Sequence, residues 1–143
     1  MWTMSQIVAI QEEKERTAVL RKFIEMGKEM KSLNNFNGIM LVLSALNNTA
    51  VRRLKANWEA LPKSTRATFV QLQDILNPDE NFNNLRTAMR NAEPPVIPFM
   101  GLYLTQMTYI DENEDMKDGL VNFNKMNLFG MSFLFITFSP LQL

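Results

Sequence analysis

The residues best suited to chemistry gather between Thr105 and Asp115, in the run "TQMTYIDENED". Thr105, Thr108 and Glu112 recur at spacings of three and four, which lines up two hydroxyls and a carboxylate if the segment is helical. Asp111, Glu112, Glu114 and Asp115 form an acidic knot. By periodicity alone this is a solvated turn at the end of a surface face. A calcium loop is the sharper alternative, since Asp111, Asn113 and Asp115 have the spacing of its first ligands. It fails at the strict positions: Met116 stands where the loop needs glycine, and Asn122 where it needs glutamate.

The 143 residues include no cysteine and no histidine. That removes disulfides, a thiolate nucleophile, sulfur-based zinc sites, the commonest general base and the commonest metal ligand. Gly27-Lys28 is followed by Glu29 and lacks the upstream glycine of a phosphate-binding loop. Hydrolytic, redox and nucleotidase chemistries are disfavoured. The expectation is a protein that makes and breaks no covalent bonds and needs neither metal nor cofactor. Fifteen basic residues balance fifteen acidic ones without a basic block, so nucleic acid and anionic membrane are not the expected partners.

The start, Met1-Trp2-Thr3-Met4, lacks the basic region of a signal peptide. The longest apolar run, Leu128 to Phe138, is about half the ~20 residues of a spanning helix. The expected setting is cytoplasmic, with no intrinsic membrane span.

The elements that must position the Thr-Thr-Glu row read as helices throughout. Ile7, Ile10, Leu20, Phe23 and Ile24 can share one stripe, which predicts a helix from Trp2 to Lys31 with "EEKER" as its solvated middle. "SLNNFNG" interrupts it with turn and cap residues. Ile39 to Leu46 is apolar on almost every side and predicts a buried helix, with a buried strand as the rival. After "NNTA", Val51, Leu54, Trp58 and Leu61 predict a helix ended by Pro62. Ser64 is expected to cap the next, whose row is Phe69, Leu72 and Leu76. Asn77-Pro78 stops that one, and Asn81 is expected to cap a short helix marked by Phe82, Leu85 and Met89. No repeat or domain boundary stands out within this stretch, and the class is all-α.

"PPVIPF" then holds the chain stiff, with Pro98 expected in the first turn of the helix that carries the row. Met100, Tyr103, Leu104, Met107 and Ile110 fall on one side; Gly101, Thr105, Thr108 and Glu112 fall on another. "LVNFNKM" predicts a further helical start. The expected layout is a helical hairpin with an acidic tip.

Together these pieces resemble the catalytic domain of Ras-type guanine-nucleotide exchange factors, the RasGEF family. The stretches that carry the resemblance are "KFIEMGKEMKSLNNFNGIMLVLSALNNTAVRRLKANWEALP", "NFNNLRTAMRNAEPPVIPFMGLYLTQMTYIDE" and "DGLVNFNKM". "LNNFNG", "PPVIPFMGLYLT" and "LVNFNK" are specific in combination, and weaker likeness reaches back to Trp2. The resemblance implies an all-α, RasGEF-like helical bundle with a protruding hairpin, and a Ras-family small GTPase (Ras, Rap or Ral-like) as partner. It also implies a mechanism in which the hairpin wedges open the nucleotide site and promotes GDP release without covalent chemistry.

Carried over by position, the resemblance implies that Glu112 occupies the place left by the nucleotide phosphate and that Thr108 approaches the magnesium site. Thr105 and Phe99 would touch the GTPase or support the hairpin, Phe99 as contact or as core anchor. Asn47 and Arg52 fall where the family's body meets the second switch region, with Phe82 at the edge of that surface. Leu46 and Met40 are either apolar contacts or core. Asn122, Phe123 and Lys125 are expected to anchor the base of the hairpin.

On this reading residues 1–126 are a partial exchange-factor domain, incomplete at both ends, and residues 127–143 a divergent Phe-rich tail unlike the family's amphipathic return helix. The competing functions are a truncated, non-catalytic GTPase- or partner-binding module and a helical protein that associates with membranes through the tail.

Overall fold

Two asparagine side chains mark where apolar sequence becomes helix. Asn35 Oδ1 accepts from the Gly38 amide at 2.8 Å, and Asn48 Oδ1 accepts from the Ala50 amide at 3.0 Å. Each satisfies an amide that the first helical turn would otherwise leave unpaired. The computed structural model describes residues 2–117 and 119–138, and these are all-α apart from one two-residue ribbon. The helices are α1 (Trp2–Val8), α2 (Glu13–Ser32), α3 (Phe36–Leu46), α4 (Thr49–Arg52), α5 (Lys55–Ala60), α6 (Lys63–Ile75), α7 (Asp79–Asn91), α8 (Met100–Asp111) and α9 (Phe123–Phe138). The ribbon pairs β1 (Met116–Lys117) antiparallel with β2 (Leu120–Val121).

α2 is the axis of the body and packs against α1, α3, α5 and α6. Its Leu20, Phe23 and Ile24 meet Ile39, Val42 and Leu46 of α3 and Leu72 of α6 in one core that takes in Leu85, Val96 and Leu102. Fully burying a side chain of this size contributes roughly 1.5–3 kcal/mol. Asn57, 2% exposed, is a polar residue buried beside this core. Its Nδ2 donates to the Glu13 carbonyl at 2.9 Å and to Thr17 Oγ1 at 2.8 Å, which pins α5 to the start of α2.

Several expected boundaries move. The stretch from Trp2 to Lys31 is two helices, because the chain is extended at Glu12 and the Arg16 guanidinium turns back onto the Ile10 and Gln11 carbonyls. Val51 to Leu61 is likewise divided, with Leu54 (φ −76, ψ 57) outside the helical region between α4 and α5. Ser64 does not cap α6: the helix begins at Lys63 after an extended Pro62, and Ser64 already lies in its first turn. Nor does Asn81 cap a helix. Glu80, Asn81 and Phe82 are consecutive left-handed residues (φ 51, 57 and 59) that kink α7 near its start. Such backbone costs roughly 1–2 kcal/mol for an ordinary residue such as Glu80 or Phe82, and less for Asn81.

Pro98 lies just before the first turn it was expected to occupy, since Phe99 is the residue preceding α8. Leu120 and Val121 form β2 rather than a helix, and α9 starts at Phe123. α9 then runs through Phe138, so residues 127–138 of the Phe-rich stretch are helical. It is not amphipathic in the ordinary sense, because Leu128, Met131, Phe133 and Leu134 are all exposed. Among the described residues no helix is long and apolar enough to cross a membrane.

Candidate functional site

The two most distinctive sequence motifs touch each other at the root of α8. The Phe36 amide donates to the Ile97 carbonyl at 2.9 Å, and the Ile97 amide to the Asn34 carbonyl at 3.0 Å. Asn34 Nδ2 adds a bond to the Glu93 carbonyl at 2.7 Å. "LNNFNG" and "PPVIPF" thus form a short parallel bridge that ties the hairpin root to the start of α3. Asn34 adopts φ 53 to make the turn, a conformation asparagine tolerates better than most residues. Beyond the bridge Phe99 packs against the core, and its ring lies against Gly101 so closely that a Cβ there would collide with it. That contact supplies the reason for glycine in "FMGLYLT".

The side of α8 that carries Met100, Tyr103, Leu104, Met107 and Ile110 is only partly covered. Leu102 and Ile110 are buried with Tyr103 half-buried, whereas Leu104 is 59% exposed and Met100 also faces solvent. Spacing alone does not say which of two mixed faces finds a partner. Burial pushes the Tyr103 phenol up to about 12, against a smaller opposing pull from Arg86.

On the outer face Thr105, Thr108 and Glu112 are exposed in one row spanning about 10 Å of helix. Both hydroxyls donate back to the carbonyl four residues earlier, Thr105 to Gly101 at 2.9 Å and Thr108 to Leu104 at 3.0 Å. The Thr108 carbonyl in turn accepts from the Glu112 amide at 3.1 Å, at the close of α8.

The tip is held by a buried cation. Lys125, 6% exposed, donates from Nζ to the Asp111 carbonyl at 3.0 Å, the Asn113 carbonyl at 2.7 Å and Asp115 Oδ1 at 2.6 Å. Asn122 caps α9 by accepting from the Lys125 amide at 3.1 Å and donates from Nδ2 to the Glu114 carbonyl at 3.0 Å. Asn122 and Lys125 therefore secure the tip, not the base where they were expected. Phe123 secures neither: it is 77% exposed, turned away as the helix start aims its neighbours inward.

The remaining candidates separate into two surfaces. Met40 and Asn47 line a cleft between α3 and α6, and Arg52 lines a second, with Val70 and Gln73 common to both. Asn47 Oδ1 accepts from Gln73 Nε2 at 2.9 Å. The Arg52 guanidinium stands 5.1 Å from the Trp58 ring centre and 5.8 Å from that of Phe69, within cation–π range. Leu46 has no exposed surface, so the contact role allowed for it gives way to the core role. Phe82 donates its amide to the carbonyl of Pro78 at 3.3 Å, and Pro78 lines the Asn47 cleft. Phe82 itself lines the cleft of about 650 Å³ between α7 and α8, together with Phe99, Thr105 and Tyr109.

A sequence profile described as RasGEF domain matches residues 1–127. Ras guanine nucleotide exchange factor M of Dictyostelium discoideum is 38% identical over 130 residues, which are 89% of this chain and 14% of that protein. Ras guanine nucleotide exchange factor Y of the same organism is 38% identical over 127 residues, 87% of this chain and 8% of its own length. Ras-specific guanine nucleotide-releasing factor 1 of Rattus norvegicus is 34% identical over 126 residues, 87% of this chain and 10% of that protein. The chain belongs to the RasGEF domain family. It spans about a tenth of the length of the relatives it matches.

Reasoning from sequence missed Val70 and Gln73, which join the α3–α6 cleft to the one lined by Arg52, and Arg86, which lines the α7–α8 cleft and donates to the Asn81 carbonyl at 3.0 Å. Val70 carried a signal, since an aliphatic residue outside the Phe69–Leu72–Leu76 row is an exposed apolar residue on a helix. Arg86 carried none.

Proposed function

We propose that this RasGEF-family chain carries the exchange-promoting part of a guanine-nucleotide exchange factor for a Ras-family GTPase, of the Ras, Rap or Ral kind. The observation that carries the reading is the exposed row of Thr105, Thr108 and Glu112 on a hairpin whose root and tip are both pinned. The hairpin enters the nucleotide site. Glu112 takes the place of departing phosphate and pairs with the cation that held it, while Thr108 crowds the magnesium position. The face with Met40, Asn47 and Arg52 meets the switch surface, Thr105 extends the row below Thr108, and Phe82 and Phe99 support the hairpin from behind.

Catalysis on this account is differential binding. The factor holds the empty GTPase better than the loaded one, so every contact made only after nucleotide leaves speeds release. An acceleration of ~10⁴-fold corresponds to roughly 5.5 kcal/mol of preference.

Release of a fluorescent GDP analogue from loaded Ras, Rap and Ral tests the reading. Glu112→Ala is expected to slow release about tenfold to a hundredfold, the loss of one charge-assisted pair. Glu114→Ala, off the row, is expected to change little. Equal losses from both would reduce the tip to bulk charge. Binding without release by the unmodified chain would replace exchange with a non-catalytic GTPase-binding module.

A further inference from the structure

We propose that Lys125 is the positioning residue for Glu112, acting through the backbone on either side of it; the inference rests on the exchange reading above. Two of its three donated bonds end on the carbonyls of Asp111 and Asn113, the residues that flank Glu112. The third ends on Asp115 Oδ1, and Asn122 adds the Glu114 carbonyl. An ammonium has three donors, and all three are used.

Left to itself this tip would spread. The last carbonyls of a helix are unpaired and carry partial negative charge. Four exposed carboxylates crowd the same five residues, Asp111 to Asp115. A buried cation beneath them opposes that repulsion while leaving the Glu112 carboxylate uncommitted: among the described residues no hydrogen bond or ion pair is made by its oxygens. The Glu112 backbone is helical (φ −63, ψ −17). It is gripped one residue before and one residue after, which sets the direction its side chain leaves the hairpin.

The test is nucleotide release from loaded Ras, followed against concentration of the full 143-residue chain. Lys125→Met keeps the length of the side chain and removes its donors. It is expected to lower the maximal rate about tenfold while the half-saturating concentration changes less than about twofold, as for a misplaced reacting group. In a Glu112→Ala background the same change is expected to cost less than about twofold more, because there is no carboxylate left to misplace. Full multiplication of the two losses, or an effect confined to half-saturation, overturns the proposal.

If Lys125→Met loses its helical spectrum, Asp115→Asn, at an exposed position, decides instead. A loss of maximal rate of about two- to threefold is expected from one weakened partner, and an unchanged rate overturns the proposal. If the unmodified chain releases no nucleotide, the exchange reading falls by itself. Positioning is then read from ¹⁵N relaxation: the amides of residues 111–115 loosen in Asp115→Asn while those of α2 do not, and an unchanged tip overturns it.

Discussion

α2 and α8 are both helices of the same domain, yet they are held in opposite ways. α2 buries Leu20, Phe23, Ile24 and Gly27 among four other helices. α8 buries Leu102 and Ile110 and packs chiefly on α9, whose own described surface is largely exposed. What α8 lacks in burial it makes up in directed bonds: the bridge from Ile97 to Asn34 and Phe36 at its root, and the Lys125 cage at its tip. Apolar burial is non-directional and resists unfolding. Hydrogen bonds to particular carbonyls contribute less net free energy but fix orientation. A projecting element that must point somewhere is better served by the second.

Removing core volume from the body should give the largest effect and sharpen that division. Leu46→Ala in α3 is expected to destabilise the domain by about 2–5 kcal/mol, read from urea or guanidinium unfolding. Because Leu46 has no exposed surface, any change in GTPase affinity should follow the loss of folded protein. A Leu46→Ala chain that stays fully folded but binds a GTPase weakly would return Leu46 to the contact surface.

At the junction of the two regions the expected effect is smaller and specific. Gly101→Ala raises intrinsic helix propensity by up to about 1 kcal/mol, but its new Cβ meets the Phe99 ring. Overpacking of this kind costs about 1–3 kcal/mol. The net change in stability is expected to be a destabilisation of about 1 kcal/mol, with the hairpin displaced at its root. Phe99→Leu in the same chain should relieve part of the loss, and a stabilised Gly101→Ala would mean the ring moves aside freely.

The same division explains what was legible in the sequence. Core periodicity named Leu20, Phe23, Ile24, Phe69, Leu72, Leu85 and Met89 correctly, because burial leaves a regular trace. Pro62 and Asn77-Pro78 marked helix ends through covalent geometry, and the hairpin order was readable from "PPVIPF" to "LVNFNKM". What escaped depends on particular side-chain bonds and backbone turns that leave no periodic trace. Arg16 turning onto Ile10 divides the first helix, and no local rule announces that. The resemblance put Phe123 with the anchors, yet capping by Asn122 aims Lys125 inward and leaves Phe123 in solvent. The buried member of "NFNK" is its charged one. Among the site residues, spacing grouped Thr105, Thr108 and Glu112 on a row, while the place of Phe82 in the α7–α8 cleft depends on the left-handed turn at Glu80–Phe82.

The smallest expected effect reads the seam directly. Tyr103 of α8 lies with Arg86 and Met89 of α7 and Met131 and Ser132 of α9, where hairpin and body meet. Burial raises its phenol from 10.0 to about 12, with Arg86 pulling the other way. Below pH 10 the phenol is protonated in folded and unfolded chains alike, and its contribution is fully present. Between 10 and 12 the unfolded chain releases the proton while the folded chain keeps it, so stability falls as pH rises and the contribution is lost above 12. Half-exposure and salt reduce the size of the loss. The difference in unfolding free energy between the unmodified chain and Tyr103→Phe, measured at pH 9 and again near pH 11, isolates this group, because the other titrating side chains cancel. The unmodified chain should lose ground to Tyr103→Phe over that interval. A difference that stays flat would mean that water reaches the phenol freely and that hairpin and body are not sealed at this point.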